Sequence, residues 1–480
     1  MRQNLFCRSP RRPASELKAP CRPASAGRGA TIKISVVIAT LAAVLVPALV
    51  APARTISIPR TLTAKVATGG DRSITFGFLP THVAFSWTGT EGTGVEFSVD
   101  GRRWTVATES HDLEEGSRHH SGIFSVARPQ GLRWRPLGAG VSRVTVDYLN
   151  TEDGPRETRV VPSTAAAAAG TPDIVPRSEW LADESLKRTS GSCKRDFSPL
   201  QQLFVHHTAG SNYDSDPAAT MRAIYAYHVK SRGYCDIAYN FLIGSNGRIY
   251  EGRWARSYGP WEVPSSENTS GEAVVAAHTL NFNTGSVGIA LMGNFVGVSP
   301  PTVMKDALVG LLAWEVDRHN LDPVANHRYV NPSGGTKKWL PVIAGHRDAG
   351  QTECPGGKLY KRLPNLRERV ATMAAPGKDV PNVHLSADAR MIVKGETTVL
   401  TASLTTSAGD ALVSQPVTVW VKRGGRWSVR GTGPTDGDGK IYVEVAPKTN
   451  VRFRAVYEGS DLSWGAQSSN LKMTVTEPDA

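Results

Sequence analysis

From residue 54 to about 165, short segments alternate apolar and polar residues or run apolar: 73–76, 82–87, 95–99, 104–106, 131–135 and 143–148. Turns such as Asp100-Gly101 separate them. A period of two with glycine and aspartate turns predicts a β-sandwich or jelly roll over 54–164. A run of alanines followed by Gly170-Thr171-Pro172 breaks the pattern, so 165–172 is expected to be a linker. Over 173–374 the pattern becomes mixed. Residues 203–206 read as a buried strand. Asp216-Pro217 opens a helix, with aspartate at the N-cap and proline at the first helical position. Met221, Ile224, Tyr225 and His228 then fall on one face to about Lys230. Residues 239–243 and 248–251 flank Ser245-Asn246-Gly247, a hairpin signal. Residues 287–292 read as a strand. Thr302 reads as the cap of a helix to about His319, with Ala307, Leu308, Leu311, Leu312 and Val316 inward. A last helix is expected from Pro364 to about Met373, with Leu366 and Val370 inward. Strands return at 399–404, 417–421, 440–445, 451–457 and 471–475, which predicts an immunoglobulin-like β-sandwich over 375–480. The expected fold class is therefore multidomain: a central mixed α/β domain, a central sheet with helices, between two β-sandwiches.

Residues 1–53 stand apart from this pattern. The first 33 hold eight bases and one acid, Glu16; an apolar run at 34–50 follows and ends in Ala51-Pro52-Ala53. A basic region, an apolar region and an A-x-A site predict a secretory signal cleaved near Ala53, and hence a secreted or wall-associated protein. An uncleaved anchor is the alternative, disfavoured by the short run and by Pro47. Without this segment the net charge falls from +12 to +5. That mild excess suits an anionic cell wall. No basic helix or aromatic–basic stripe is visible in the sequence, so no nucleic-acid partner is expected. Cys7 and Cys21 leave with the segment, and Cys193, Cys235 and Cys354 remain. An odd number in a secreted chain is most simply met by one disulfide, Cys193 with Cys235, and one metal thiolate. His111, His119 and His120 read as part of a solvated polar loop, with metal binding as the alternative. The tryptophans of 54–164 are expected in a core, with sugar binding as the alternative.

Candidate chemistry gathers in two distant stretches. Phe204-Val205-His206-His207-Thr208-Ala209-Gly210 ends a strand on paired histidines, and Ala344-Gly345-His346-Arg347-Asp348 is followed by Glu353-Cys354-Pro355. Zinc takes nitrogen and sulfur ligands in a tetrahedron, and a catalytic site leaves one position for water. One histidine of the pair, His346 and Cys354 meet that count. Spacing alone leaves open whether Cys354 is a ligand or a buried spectator. There is no H-E-x-x-H, which sets aside a zincin-type site.

These stretches, with Arg177-Ser178-Glu179-Trp180, Asp236-Ile237-Ala238-Tyr239-Asn240-Phe241, Gly247-Arg248-Ile249-Tyr250-Glu251-Gly252-Arg253 and Ala277-His278-Thr279-Leu280-Asn281-Phe282-Asn283, resemble the peptidoglycan recognition proteins. That family includes zinc-dependent type 2 N-acetylmuramoyl-L-alanine amidases. The resemblance spans about 173–374 and its blocks occur in the right order. It implies that His206, His346 and Cys354 hold one zinc ion, with His207 a neighbour. It implies that Tyr239 is the active-site tyrosine beside the metal-bound water, and that Thr352 faces the scissile carbonyl. The implied reaction is hydrolysis of the amide between N-acetylmuramic acid and L-alanine of peptidoglycan, with zinc polarising the carbonyl and holding the attacking water. The rival reading is a recognition protein that binds peptidoglycan in the same cleft without cutting it. Members that only bind often lack the cysteine or the tyrosine, and this chain has both. His207, His278, Asn283 and Trp254 are candidates to line the substrate cleft, packing roles being the alternative for His278 and Trp254. Trp261 shares that alternative. Asp348 is expected to orient a ligand or to pair with Arg347, and Glu251 to act as a base or to pair with Arg253 or another arginine. Leu181 and Asn281 stand where the family usually has glycine. The expected partners are peptidoglycan and muropeptides, in transient association with the wall, and a monomer is expected. The flanking sandwiches show no site in the sequence.

Overall fold

The centre of the molecule is a six-stranded sheet in the order Ile174–Val175, Ile249–Glu251, Phe241–Ile243, Ser286–Leu291, Gln202–His207, Ile343–Gly345. Every neighbouring pair is parallel except the hairpin of Phe241–Ile243 with Ile249–Glu251. A computed structural model describes residues 53–68, 72–110, 118–162, 171–259, 262–374, 379, 381–423, 426–460 and 462–478. Residues 1–52, most of the expected linker, His111 and Trp261 lie outside them.

Strand Gln202–His207 is buried throughout, because both sheet faces are covered. Successive side chains alternate between faces. Leu203 and Val205 enter a core built with helices Thr302–Arg318 and Leu363–Ala374. Phe204 packs instead with Phe282, Tyr329 and Leu340. Helix Thr302–Arg318 buries Leu308, Leu311, Leu312 and Val316 as expected. Its N-cap is Pro301, however, and Thr302 is the first helical residue, with no side-chain cap bond. The sequence pattern missed the hairpin of Asn326–Val330 with Lys337–Pro341, whose polar strands carry little alternation.

The helix after Asp216 runs Pro217–Ala226 and continues as a π-helical turn, Tyr227–Ser231. Asp216 caps it by accepting from Ala219 N at 3.0 Å. One apolar face was expected, yet every residue but Ala218 is buried. The reason is that this helix lies between the sheet and the amino-terminal strands. Ala84, Ile123 and Leu149 share one core cluster with Met221, Ile224, Tyr225 and Tyr239.

The amino-terminal region holds two sheets around a common core. One is Leu62–Ala67, Ser142–Asn150, His82–Thr88 and Arg118–His120, with Phe124–Ser125 on His82–Thr88; the other is Ser73–Thr75, Gly131–Leu137, Gly94–Ser98 and Thr105–Ala107. Val83, Phe85 and Trp87 from the first meet Val95, Phe97, Leu132 and Trp134 from the second. His119 and His120 are strand residues and buried, which corrects the solvated-loop expectation. His119 stacks on Trp87 and pairs with Glu109 at 2.8 Å, so its partners lie within the sheet rather than in solvent. An unanticipated ribbon, Ala53–Pro59 with Arg156–Pro162, completes this region.

The carboxy-terminal region also forms two sheets around one core, led by Leu400, Val419, Phe453 and Tyr457. Trp464 leaves that core and packs into the central one.

Candidate metal centre

His206 is the next-to-last residue of strand Gln202–His207, and His346 follows the neighbouring, parallel strand, Ile343–Gly345. Parallel neighbours bring their carboxyl ends to the same sheet edge, where sites on open α/β sheets collect. The loop after the short helix His346–Ala349 returns Cys354 to that edge. One ligand-type atom from each of His206, His346 and Cys354 lies within 4.8 Å of the others. All three residues are buried.

The surroundings suit a cation held by nitrogen and sulfur. Cys354 Sγ lies 3.6 Å from His206 Nδ1 and accepts the His207 backbone N–H at 3.4 Å. The other ring nitrogen of His206, Nε2, meets His278 Nδ1 at 3.1 Å. One nitrogen is thus turned to the sulfur while the other is held, which is how ligating histidines are usually oriented. Burial drives His206 well below its ordinary pKa, helped by the neighbouring His346, His278 and His207. That direction favours the neutral ring a metal ligand must have. A buried thiol outside the disulfide, two imidazoles and no carboxylate make a zinc-type donor set.

Tyr239 is buried, and its ring lies 5.4 Å from that of His206, centroid to centroid. Thr352 Oγ1 accepts the Cys354 N–H at 3.0 Å, which uses its acceptor side and leaves its hydroxyl hydrogen to donate elsewhere. His207, by strand alternation, faces away from His206, and its Nδ1 accepts the Phe295 N–H at 3.2 Å. His278 is fully buried behind His206, its Nε2 3.4 Å from Ser286 Oγ. Burial lowers its pKa to about 3. Asn283 Oδ1 accepts the backbone N–H groups of His278 and Thr279, both at 2.8 Å, so it shapes the loop that carries His278. Trp254 is covered by Lys187 Nζ at 3.7 Å and Arg195 Cζ at 4.1 Å from its ring centre. Asp348 accepts the Gly345 N–H at 2.8 Å and the Tyr360 hydroxyl, while Arg347 bonds the Cys354 carbonyl at 3.4 Å. Glu251 accepts the Arg177 N–H at 3.0 Å, and burial pushes its carboxyl up to about 7. Arg177 itself pairs with Glu184 and Asp236.

A model of the family described as N-acetylmuramoyl-L-alanine amidase matches residues 196–357. Peptidoglycan-recognition protein SC2 of Drosophila simulans is 34% identical over 193 residues, covering 40% of this chain and 84% of the relative. Peptidoglycan recognition protein 1 of Bos indicus is 32% identical over 197 residues, covering 41% and 84%. This chain belongs to the peptidoglycan recognition protein family. Among solved structures, wild-type Drosophila PGRP-LB aligns at 29% identity over 40% of this chain and 93% of that one, with a TM-score of 0.29.

In this peptidoglycan recognition protein, Leu181 and Asn281 have φ of 62° and 67°. Both hold the left-handed backbone that glycine adopts at no steric cost, so the turns are kept without the glycine. Cys193 and Cys235 form the expected disulfide. A cavity of about 660 Å³, which Glu353 next to Cys354 in the chain helps to line, opens between the amino-terminal strands and the central region. Thr105, Val106 and Thr108 line one side, and Asn212, Asn294 and Glu353 another. Sequence reasoning missed it because its walls come from segments far apart in the chain. A second group, Glu267, Glu315 and His319, also places donor atoms within 4.8 Å of one another. There Arg318 and His319 both pair with Glu267, which makes an ion-pair network at the helix end.

Proposed function

We propose that this protein is a secreted zinc amidase that hydrolyses the bond between N-acetylmuramic acid and L-alanine in peptidoglycan. In this reading residues 1–53 are the secretory signal, 173–374 carry catalysis, and 54–164 and 375–480 are a β-sandwich and an immunoglobulin-like sandwich joined to it. The observation that carries it is the convergence of His206, His346 and Cys354 at the sheet edge, with Tyr239 packed on His206. Zinc held by these three residues supplies a Lewis acid for the carbonyl and a water that ionises more readily.

The protein's own groups then divide the work. Tyr239 orients the attacking water and assists removal of its proton. Thr352 donates its free hydroxyl hydrogen to the carbonyl oxygen as negative charge develops there. His278 and Asn283 act behind the site by fixing His206, and His207 fixes the loop at Phe295. Water adds to the carbonyl carbon, the C–N bond breaks, and the freed L-alanine nitrogen takes up a proton as a carboxylic acid forms.

Mass spectrometry of peptidoglycan digests tests this. The expected product is a stem peptide with a free L-alanine amino terminus. Cys354→Ser is expected to lose zinc and activity together, and Tyr239→Phe to keep zinc but slow hydrolysis. No product from zinc-loaded protein that still binds peptidoglycan would leave the non-hydrolytic recognition reading instead.

A further inference from the structure

The carboxy-terminal sheet places three cations directly opposite one another. Lys422 pairs in register with Arg452, and Arg452 with Lys472, on three adjacent strands, Pro416–Arg423, Val451–Tyr457 and Leu471–Thr476. Like charges in directly opposed positions destabilise a sheet. Here no ion pair among the described residues relieves them. Arg454 lies two residues beyond Arg452 on the same face, and its buried Nε has no hydrogen-bond partner. The hairpin of Asn326–Val330 with Lys337–Pro341 brings Arg328 and Lys337 up to the same patch. Partial burial and the charges of Arg328, Lys337, Arg452 and Arg454 hold Lys422 below the usual lysine pKa. Lys422, Asn450, Val451, Arg452 and Lys472 line a cavity of about 340 Å³.

Aromatic surface adjoins these charges. Trp427, opposite Lys422, has the Arg454 guanidinium 4.6 Å and the Lys422 ammonium 5.9 Å from its ring centre. Trp339, opposite Arg328, is 62% exposed. Unneutralised cations beside aromatic rings fit a ligand with both acidic groups and sugar faces. A stability role would have placed a carboxylate in the row of Lys422, Arg452 and Lys472, and the row holds none.

We propose that this face is a binding site for an anionic glycan polymer of the cell wall, recognised through its phosphate or carboxylate groups by Lys422, Arg452, Lys472, Arg454, Arg328 and Lys337. This rests on the reading of the protein as wall-directed, but not on hydrolysis. It gives the carboxy-terminal region a function, tethering the protein to the wall while the metal centre works elsewhere on the chain.

The test is sedimentation of full-length protein with isolated wall sacculi, comparing wild type with the triple variant K422Q/R452Q/K472Q. Wild type should sediment in low salt and be released by added salt. The variant should bind about tenfold or more weakly, since charge-assisted contacts are lost. Its unfolding temperature should be unchanged or higher, because like-charge repulsion is relieved. Stripping phosphodiester-linked polymer from the walls with hydrofluoric acid, or amidating their carboxylates with carbodiimide, should lower wild-type binding and so identify the acidic group. Equal binding by the variant, a fall in its unfolding temperature, or wild-type binding indifferent to both treatments would each overturn the site. So would competition by single-stranded DNA more effective than that by released wall polymer at equal charge. Turnover of soluble muropeptide should be the same in both proteins. If neither protein turns it over yet the variant binds poorly, the site stands and only the amidase reading falls.

Discussion

Gly288 should be the most sensitive small residue behind the metal centre. It lies in strand Ser286–Leu291, where an added Cβ would sit 2.3 Å from His278 Cγ and 2.5 Å from Cδ2. Ordinary contacts of a Cβ begin near 3.4 Å, so Gly288→Ala demands that the ring retreat by about 1 Å. The ring has nowhere to go. It is fully buried, packed near Phe204, and bonded to His206 and Thr279. Overpacking of this kind costs about 1–3 kcal/mol, and a strained His206–His278 bond adds about 1 kcal/mol. A total of about 2–4 kcal/mol is expected in denaturant unfolding. His278→Ala alone should cost a similar amount, through a cavity and a lost bond. The decisive measurement is the double variant. With the ring gone, the methyl group introduced by Gly288→Ala occupies part of the vacated space. The double variant should then be more stable than the sum of the singles by about 1–2 kcal/mol. Zinc affinity of Gly288→Ala should fall about 10–100-fold, since His278 fixes His206. Costs that add to within about 0.5 kcal/mol would refute the close packing of ring on strand.

Further outcomes follow from other parts of the molecule. Asn281, at φ of 67°, should tolerate glycine to within about 0.5 kcal/mol of unfolding free energy, whereas Asn281→Val should lose about 1–2 kcal/mol. Cys193 and Cys235 are 42 residues apart, and replacing both with alanine should lower stability by up to about 4 kcal/mol in the loop-entropy view; no change in unfolding would show that this loop stays closed without the bond. His82 gives a pH dependence. It is buried at the boundary with the helix after Asp216, 2.9 Å from Thr220 Oγ1, and burial lowers its pKa to about 4 against the opposing influence of Asp214. Arg222 lowers it further, and Asp216 and Glu152 raise it. Because the folded pKa lies below the unfolded value of 6.5, the unfolded chain takes up the proton first as pH falls. Stability is full above about pH 6.5 and drops toward pH 4, by about 3 kcal/mol in the limit. His82→Gln should remove that part of the slope, measured as the difference between the two proteins from about pH 7 to about pH 4.5.

Much of the central domain was legible because its signals are local. Strand Gln202–His207 announces itself as an apolar run, and Asp216-Pro217 is a helix start in any context. The order of the histidine, tyrosine and cysteine blocks pointed to one site before any contact was visible. Other features depend on what lies opposite. His119 and His120 look like loop residues until the partner strand His82–Thr88 supplies Trp87. The helix Pro217–Ala226 shows one apolar face because its other contacts are alanines, a threonine and an arginine, which are not read as core. Lys422, Arg452 and Lys472 look ordinary at their separate positions, and only strand register makes them a row.

The burial of helix Pro217–Ala226 on both sides bears on the metal centre. Gly122 and Gly210 meet so closely that a Cβ on Gly210 would lie 2.0 Å from the Ile123 carbonyl oxygen, and one on Gly122 2.2 Å from that of Thr208. Ser211 Oγ accepts the Ser125 N–H at 3.0 Å, and Ser211 N donates to Ile123 O at 3.1 Å. The loop that leaves His206 and His207 is therefore held by the amino-terminal strands. The residues matched by the amidase family begin at 196, so these strands lie outside them. Burying one large aliphatic side chain contributes about 1.5–3 kcal/mol, and Ile123 and Leu149 both enter the cluster that contains Tyr239. A contribution of that size is a sizeable share of a typical domain's net stability of about 5–15 kcal/mol. The amino-terminal region is thus a structural wall of the site, and its backbone, rather than any catalytic side chain of its own, is what keeps the His206 loop in place.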